Sequence, residues 1–134
     1  MAESTGSVLQ VELVAADRLV WSGEATMVIA RTTEGDVGIL PNHAPMLSVI
    51  IEGVVDVQTA KGETWVAAVD AGFLSVAHNR VSILSEHAEM SHEIDLEKAR
   101  QELERAKAAG ENDDAAQEAV RRAEARIRAV ERAS

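Results

Sequence analysis

The chain has 134 residues, of which 46% are hydrophobic, 27% charged and 2% aromatic, and its net charge is −10 with no cysteine. This length suits one domain, or a small domain with an appendage. The acidic balance and the scarcity of aromatic residues argue against nucleic-acid binding, and a chain without cysteine holds neither a disulfide nor a thiolate-bound metal.

No apolar run approaches the roughly 18 residues needed to span a bilayer. Residues 1–7 are polar and lack the basic segment of a signal peptide. We therefore expect a chain that works in a reducing cytoplasm without direct insertion into a membrane.

Short apolar segments separated by turn residues fill the first part of the chain. The first segment alternates polar Gln10 and Glu12 with apolar neighbours, which is the period of a half-buried strand. Ser22 and Gly23 interrupt the next stretch, and this glycine predicts a bend or a bulge. Turn signals about every eight to twelve residues are typical of an antiparallel sandwich or barrel. The predicted strand segments are residues 8–14, 19–21, 25–30, 46–51, 54–59, 64–69, 73–77 and 81–84.

A stretch rich in glycine and proline, residues 34–45, lies between two of these apolar segments. Its glycines permit backbone angles or close approaches that other residues resist, and its prolines fix φ and remove two N–H donors. We predict a rigid, non-helical excursion with Asn42 and His43 at its tip. It is either a recognition surface or an ordinary sandwich loop. The residues concerned are Gly35, Gly38, Pro41 and Pro45.

From Glu93 onward the apolar residues recur every three to four positions, which indicates amphipathic helices. Asp95 is the predicted N-cap of the first helix, and Gly110 is its predicted C′ residue. Asp114 with Gln117 matches a capping box for a second helix. Two helices with so short a connection form an antiparallel hairpin, called the arm below. The predicted apolar stripes are Leu96, Ala99, Leu103 and Ala106, then Ala116, Val120, Ala123, Ile127 and Val130.

These stripes are thin and rich in alanine. Exchanging a buried leucine for alanine costs about 2 kcal/mol or more, so the two helices should hold each other weakly. We expect the arm to need the sandwich, a ligand or a partner to dock onto. The charge also shifts near this boundary: residues 1–92 carry 12 acidic and 4 basic side chains, a net −8, and residues 93–134 carry 11 and 9, a net −2.

The second helix carries a group of arginines in its C-terminal half, where cations complement the helix dipole. Two interpretations stay open. The group is either a solvated face paired with Glu124 and Glu131 within the helix, or a surface that grips carboxylates or a phosphate on a partner. The group, called the arginine face below, is Arg121, Arg122, Arg126, Arg128 and Arg132.

The histidines do not indicate a metal site, because none shows the i, i+4 helical spacing typical of zinc ligands. The sequence contains no nucleophile elbow, and the glycines at residues 35–38 lack the Gly-Lys-Ser/Thr of a P-loop. An enzyme that uses His43 or His78 remains only as a third hypothesis. The histidines are His43, His78, His87 and His92.

Three motifs follow one another along nearly the whole chain: GDVGILPNHAP at residues 35–45, AGFLSV with NRVSIL at residues 71–84, and IDLEKA at residues 94–99. Each motif is moderately specific and the series is highly so. Together they resemble the epsilon subunit of bacterial F-type ATP synthases. The resemblance implies an α+β fold, with an N-terminal antiparallel β-sandwich of about ten strands in residues 1–90 and a regulatory helix hairpin in residues 91–134.

The resemblance also implies a role without catalysis. Such a subunit is a peripheral rotor component on the cytoplasmic face of the bacterial plasma membrane. It links the gamma subunit to the ring of c subunits in the central stalk and couples proton flow to ATP synthesis. The arm opposes ATP hydrolysis when its arginine face meets an acidic segment of the beta subunit. The residues that match the family's contacts with the c-ring are Asp36, Asn42, His43, Ala44 and Pro45.

Some members of the family bind ATP at the folded arm. At the position of the motif arginine this chain has Lys98, which lacks the planar, bidentate fork. We therefore expect no required cofactor, and ATP only as a weak ligand with dissociation no tighter than millimolar. The alternative function is a nucleotide-sensing regulatory module with no rotor role. The matching positions are Glu89, Ile94, Asp95, Lys98, Ala99, Arg105, Arg122 and Arg126.

Overall fold

The structure is a computed structural model, and it describes residues 8–133. The polar N-terminal stretch, residues 1–7, lies outside the described residues. The strands are β1 Leu9–Ala15, β2 Leu19–Thr32, β3 Gly35–Ile39, β4 Met46–Ile50, β5 Gly53–Thr59, β6 Thr64–Val69, β7 Gly72–Ala77, β8 Arg80–Ser85 and β9 Ala88–Met90. A 3₁₀ turn, Ser91–Glu93, leads to helices α1 Leu96–Ala108 and α2 Asp114–Ala133.

The long strand β2 joins the two halves of the sheet. Its first part pairs with β1 and its second part with β3 and β5. One half runs β1-β8-β7-β4 and the other β2-β5-β6-β9. Because β1 pairs with β8 as well as with β2, the strands wrap around a common core. The predicted β-sandwich followed by a helix hairpin is confirmed, with nine strands in the described part of the chain.

Two predictions about the strands were wrong in detail, and the first concerns the predicted interruption of β2. Ser22 and Gly23 do not break the strand, which continues through both residues. A Cβ at Gly23 would lie 3.0 Å from the indole of Trp21, so this glycine makes room for a side chain that lies over the backbone.

The predicted excursion at residues 34–45 contains strand β3, which forms a hairpin with β2. Of the two glycines in this stretch, only Gly35 has a left-handed φ, at +111°, and it lies at the turn of this hairpin. Gly38 sits within β3, and an added Cβ there would have no atom within 4 Å. The non-strand part of the excursion is therefore Glu34, in the hairpin turn, and residues 40–45.

The main core lies inside the sandwich and contains fully buried side chains from most strands. A second, smaller cluster lies between the sandwich and the arm, where Ala129 of α2 contacts the faces of β5 and β6. The arm is thus attached to the outside of the sandwich and does not continue its core. The strand residues of this second cluster are Val54, Val66 and Ala68.

Both predicted ends of α1 are confirmed. The Asp95 carboxylate accepts a hydrogen bond from the Lys98 N–H at 3.1 Å, and Gly110, which follows the C-cap residue Ala109, has φ +100°. The predicted capping box of α2 was wrong by one residue. The carboxylate of Asp113, not Asp114, accepts the amide hydrogens of the first turn, at 3.0 and 3.3 Å.

Helix α2 is buried on a second side in addition to the apolar stripe predicted from its sequence. Ala116 and Ala123, which belong to the predicted stripe, are buried as expected. Ala125 and Ala129, which lie outside the predicted stripe, are also buried, at 1% and 0% exposed, because α2 packs against β5 and β6 as well. Helix α2 is therefore held between α1 and the sandwich. Within residues 8–133 the structure has no helix long and apolar enough to cross a bilayer.

Candidate functional site

The turn at residues 40–45 is an exposed but well-bonded end of the sandwich. Asn42 takes a left-handed φ of 69°. Its N–H donates to Oδ1 of Asn79 at 2.5 Å, and the Asn79 amide donates back to Asn42 at 3.4 Å. The N–H of His43 donates to the Leu40 carbonyl at 3.1 Å. With these bonds the turn is tied to the hairpin between β7 and β8, which supports the predicted stiffness.

The structure brings together four of the five predicted c-ring contacts and separates the fifth. Asn42, His43, Ala44 and Pro45 lie in consecutive positions of this turn. Asp36 lies near the other end of β3, opposite Arg31, with its carboxylate 4.0 Å from that guanidinium and 66% exposed. The extended backbone between residues 36 and 39 spans about 10 Å.

A row of exposed apolar side chains crosses the half of the sandwich that the arm leaves uncovered. Phe73 on β7 pairs laterally with Val49 on β4 and with Leu84 on β8, and Leu84 pairs with Val14 on β1. Laterally paired residues share one face of a sheet. Phe73 is 52% exposed, and Val49 and Leu84 are 47% exposed each.

This apolar row, defined as Val14, Val49, Phe73 and Leu84, borders a shallow groove of about 580 Å³. Contiguous exposed apolar surface on a soluble domain marks an interaction site. This row was not predicted from the sequence. Each strand offers a local signal, which is an apolar residue at a position that the alternation of polar and apolar residues assigns to solvent. That these residues are neighbours is shown only by the pairing register between the strands.

The arginine face is largely occupied by carboxylates of the same chain. Three of its members reach across to the sandwich, and Arg122 pairs with Glu118 one helical turn earlier, at 2.9 Å. Arg128 is exposed, and the described residues place no carboxylate within 4.0 Å of it. The three pairs to the sandwich are Arg121–Glu52 at 3.1 Å, Arg126–Glu89 at 2.6 Å and Arg132–Asp56 at 2.6 Å.

A pocket of about 290 Å³ lies where the arm meets the sandwich, and it contains five of the eight predicted ATP positions. It does not include Ala99, Arg105 or Arg122. Four of its lining side chains are carboxylates and two are cations, so its formal charge is negative, and Arg126 is already paired with Glu89. This charge disfavours a triphosphate. The lining residues are Glu89, Glu93, Ile94, Asp95, Lys98, Glu102 and Arg126.

The 3₁₀ turn before the arm is fastened to the sandwich by one residue pair. The Arg18 guanidinium donates to both oxygens of Glu93 at 3.1 Å, and Glu93 also accepts the Met90 N–H at 3.0 Å. These bonds from Arg18 and Met90 hold the pKa of Glu93 below its ordinary value. The pair, called the clasp below, keeps residues 91–93 on the sandwich.

Beside the arm, Asp70 is partly buried. Burial raises its pKa above the ordinary value, and the nearby positive charges of Arg126 and Arg122 offset this only in part. The carboxylate adds one more negative group to the surface that α2 covers.

The histidines are dispersed over the fold. His78 is exposed in the two-residue turn between β7 and β8, with φ 52°. His92 rests edge-on against Trp65, with ring centroids 5.8 Å apart. In the part of the chain that the structure describes, no group of three or more histidine and acidic side chains is placed to hold a metal ion.

Comparisons with known proteins agree with this architecture. The family model described as "ATP synthase, Delta/Epsilon chain, beta-sandwich domain" matches residues 8–91. A protein named ATP synthase epsilon chain from Streptomyces avermitilis is 58% identical over 122 residues, which cover 91% of this chain and 94% of the relative. Its counterpart from Rhodococcus jostii (strain RHA1) is 50% identical over 134 residues, which cover 99% of this chain and 100% of the relative.

Two solved structures share the fold. One is a chain of the Euglena gracilis mitochondrial ATP synthase (OSCP/F1/c-ring), with a TM-score of 0.72 at 24% identity, covering 93% of this chain and 78% of that chain. The other belongs to the central stalk and c-ring of the Tetrahymena thermophila mitochondrial ATP synthase, with a TM-score of 0.61 at 16% identity, covering 93% and 95%.

Proposed function

This chain belongs to the epsilon-chain family of ATP synthases, and from that premise we propose that it works as a rotor component of the central stalk, linking the gamma subunit to the c-ring. An epsilon chain is a non-catalytic subunit of the complex. In this proposal the chain reaches the cytoplasmic face of the plasma membrane through the complex, as a peripheral subunit.

The apolar row is the observation that carries this function. A stalk subunit has to hold a turning partner firmly, and burial of apolar surface is the largest favourable term in most protein association. Val49, Phe73 and Leu84 are about half exposed in the free chain. They lie on strands that are hydrogen-bonded to one another, which keeps the row in place. We assign this row to the contact with gamma.

The turn at residues 42–45 fits the contact with the c-ring, because it is exposed and fixed by the bonds between Asn42 and Asn79. Asp36 belongs to a second, separate point of contact in this proposal. The arginine face of the arm fits an acidic segment of the beta subunit, which would inhibit ATP hydrolysis. ATP remains a weak ligand of the arm pocket, since that pocket carries more negative than positive side chains.

Phe73→Glu tests the stalk contact, with Leu19→Glu as its matched control. Both residues are large, apolar and more than half exposed, at 52% and 57%, but Leu19 lies outside the apolar row. Burying an unpaired carboxylate in an interface is costly, so we expect Phe73→Glu to lose co-purification with gamma and Leu19→Glu to retain it. Equal retention by both variants would remove the row from the interface.

Inhibition by the arm is tested by deleting residues 95–134, which spares the clasp at Glu93. If the arm opposes hydrolysis, the truncated complex should still assemble and should hydrolyse ATP faster than the full one. An unchanged rate of hydrolysis in an assembled complex would show that the arm has another role.

A further inference from the structure

Three ion pairs run along the contact between the arm and the sandwich. The arginines at positions 121, 126 and 132 lie on one helix and span about 16 Å at 1.5 Å per residue. Their partners are carboxylates of the sandwich or its edge, and this acidic row is defined as Glu52, Asp56 and Glu89. The side chains of Glu52 and Asp56 are only 11% exposed, so the docked arm and its surroundings largely cover them.

The apolar contact between the same two surfaces is small. It consists of Val54, Val66 and Ala68 beneath Ala129, with Ile94 at its margin. Because alanine buries little apolar area, this cluster contributes less than a leucine-rich contact would. The ion pairs are therefore a substantial share of what fixes the arm. Arg121 and Arg132 remain about half exposed, at 54% and 48%, so dissolved salt screens their attraction.

We propose that the acidic row is a charge latch that holds the arm on the sandwich by occupying the arginines that the proposed inhibition requires. This inference rests on the proposed function and adds its regulation. A guanidinium that donates to Glu52 or Asp56 is not free to donate to carboxylates of a partner. Docking on the sandwich and docking on an acidic partner are therefore exclusive, and the partner's apparent affinity falls by the fraction of arms that are latched.

The latch needs no nucleotide to hold the arm. Arg126 and Glu89 lie in the arm pocket and bond directly to each other at 2.6 Å. The chain's own carboxylate takes the place that an anionic ligand would need. The state of the arm is thus set by competition between two acidic surfaces, one in this chain and one on the partner.

The absence of cysteine from the chain permits a direct test in the full-length protein. Val54→Cys places a thiol under the arm, and Val55→Cys places one in the main core at the next position, on the other face of β5. The rate of alkylation at residue 54 reports lifting of the arm, and the rate at residue 55 reports unfolding of the sandwich. Both changes keep side-chain volume close to that of valine.

Glu52→Gln combined with Asp56→Asn removes two pairs of the latch and keeps all five arginines. A partly exposed pair contributes a factor of about two to five to an equilibrium, so alkylation at residue 54 should rise about tenfold, with residue 55 unchanged. Glu118→Gln, which removes the pair within α2, is the control and should change neither rate. Unchanged alkylation at residue 54 in the double variant would overturn the latch.

Salt gives a second measurement that needs no change to the latch. Raising KCl from about 0.05 to about 0.5 M shortens the screening length severalfold. Alkylation at residue 54 should then accelerate in the otherwise natural chain, and much less in the double variant. Equal acceleration in both would mean that charge pairs do not hold the arm.

Hydrolysis by the assembled complex separates this inference from the proposed function. The double variant should hydrolyse ATP more slowly than the natural complex, because more arms are released to inhibit. If alkylation rises but hydrolysis equals that of the complex lacking residues 95–134, the latch stands and the inhibitory role fails. If alkylation does not rise, the latch fails, and the truncated complex alone decides the inhibitory role.

Discussion

Gly72 is the position where one added methyl group should do the most damage. Its backbone lies against the partner strand, opposite Ser85. A Cβ built at this position would lie 1.8 Å from the carbonyl oxygen of Leu84 and 2.9 Å from the Ser85 Cα. Ordinary contacts begin at 3.4 Å, so β7 and β8 would have to separate by about 1.6 Å at this point.

That separation exceeds what a backbone hydrogen bond tolerates. The loss of one or two such bonds at about 1 kcal/mol each, together with the strain of overpacking at about 1–3 kcal/mol, predicts that Gly72→Ala lowers the free energy of unfolding by about 2–5 kcal/mol. For a chain of this size the melting temperature should fall by about 10 °C.

Gly38→Ala is the matched control for this substitution. Gly38 also lies in a strand, but no atom would come within 4 Å of its added Cβ. Reduced entropy of the unfolded chain should leave this variant neutral or more stable by up to about 1 kcal/mol. Urea unfolding followed by circular dichroism measures both. If the two variants differ by less than about 0.5 kcal/mol, which is the usual range for an unremarkable surface change, the close approach of β7 and β8 is not as described.

Two further predictions concern the arm and its attachment. Asp113→Ala should cost about 1 kcal/mol of stability through the lost N-cap, whereas Asp114→Ala should be nearly neutral. Thermal melting of the two variants measures the difference. A larger loss for Asp114→Ala would show that Asp114 is the N-cap after all. Arg18→Gln removes the clasp. Because the native pKa of Glu93 is lowered from 4.5, the clasp stabilises the chain above that pH and is lost as the pH falls below it. The difference in melting temperature between Arg18→Gln and the natural chain should therefore shrink from pH 7 to pH 3, and a constant difference would contradict the assignment.

Local signals were sufficient for most of the architecture. Asp95 and Gly110 end a helix by bonds within a few residues, so the sequence contains all that is needed to place them. The two apolar periods separate strands from helices for the same reason. The capping box failed because Asp113 and Asp114 offer the same carboxylate, and only the path of the backbone decides between them.

The rest depends on contacts between distant parts of the chain. Gly72 resembles a turn glycine, but its role is set by Leu84 on the neighbouring strand. The arginine face was predicted as a group, yet nothing local indicates that Glu52 and Asp56 would reach it. The apolar row likewise exists only through lateral register across four strands. Surfaces that bind partners are assembled in this way, which is why they were the hardest to predict.

The paired amides of Asn42 and Asn79 have a mechanical consequence. They join the 40–45 turn to the hairpin whose strands carry Phe73 and Leu84. A lateral force on that turn is transmitted from Asn79 to Phe73 through extended backbone about 20 Å long. Paired extended strands resist deformation far better than an unpaired loop does, so this end of the molecule passes force to the apolar row with little bending.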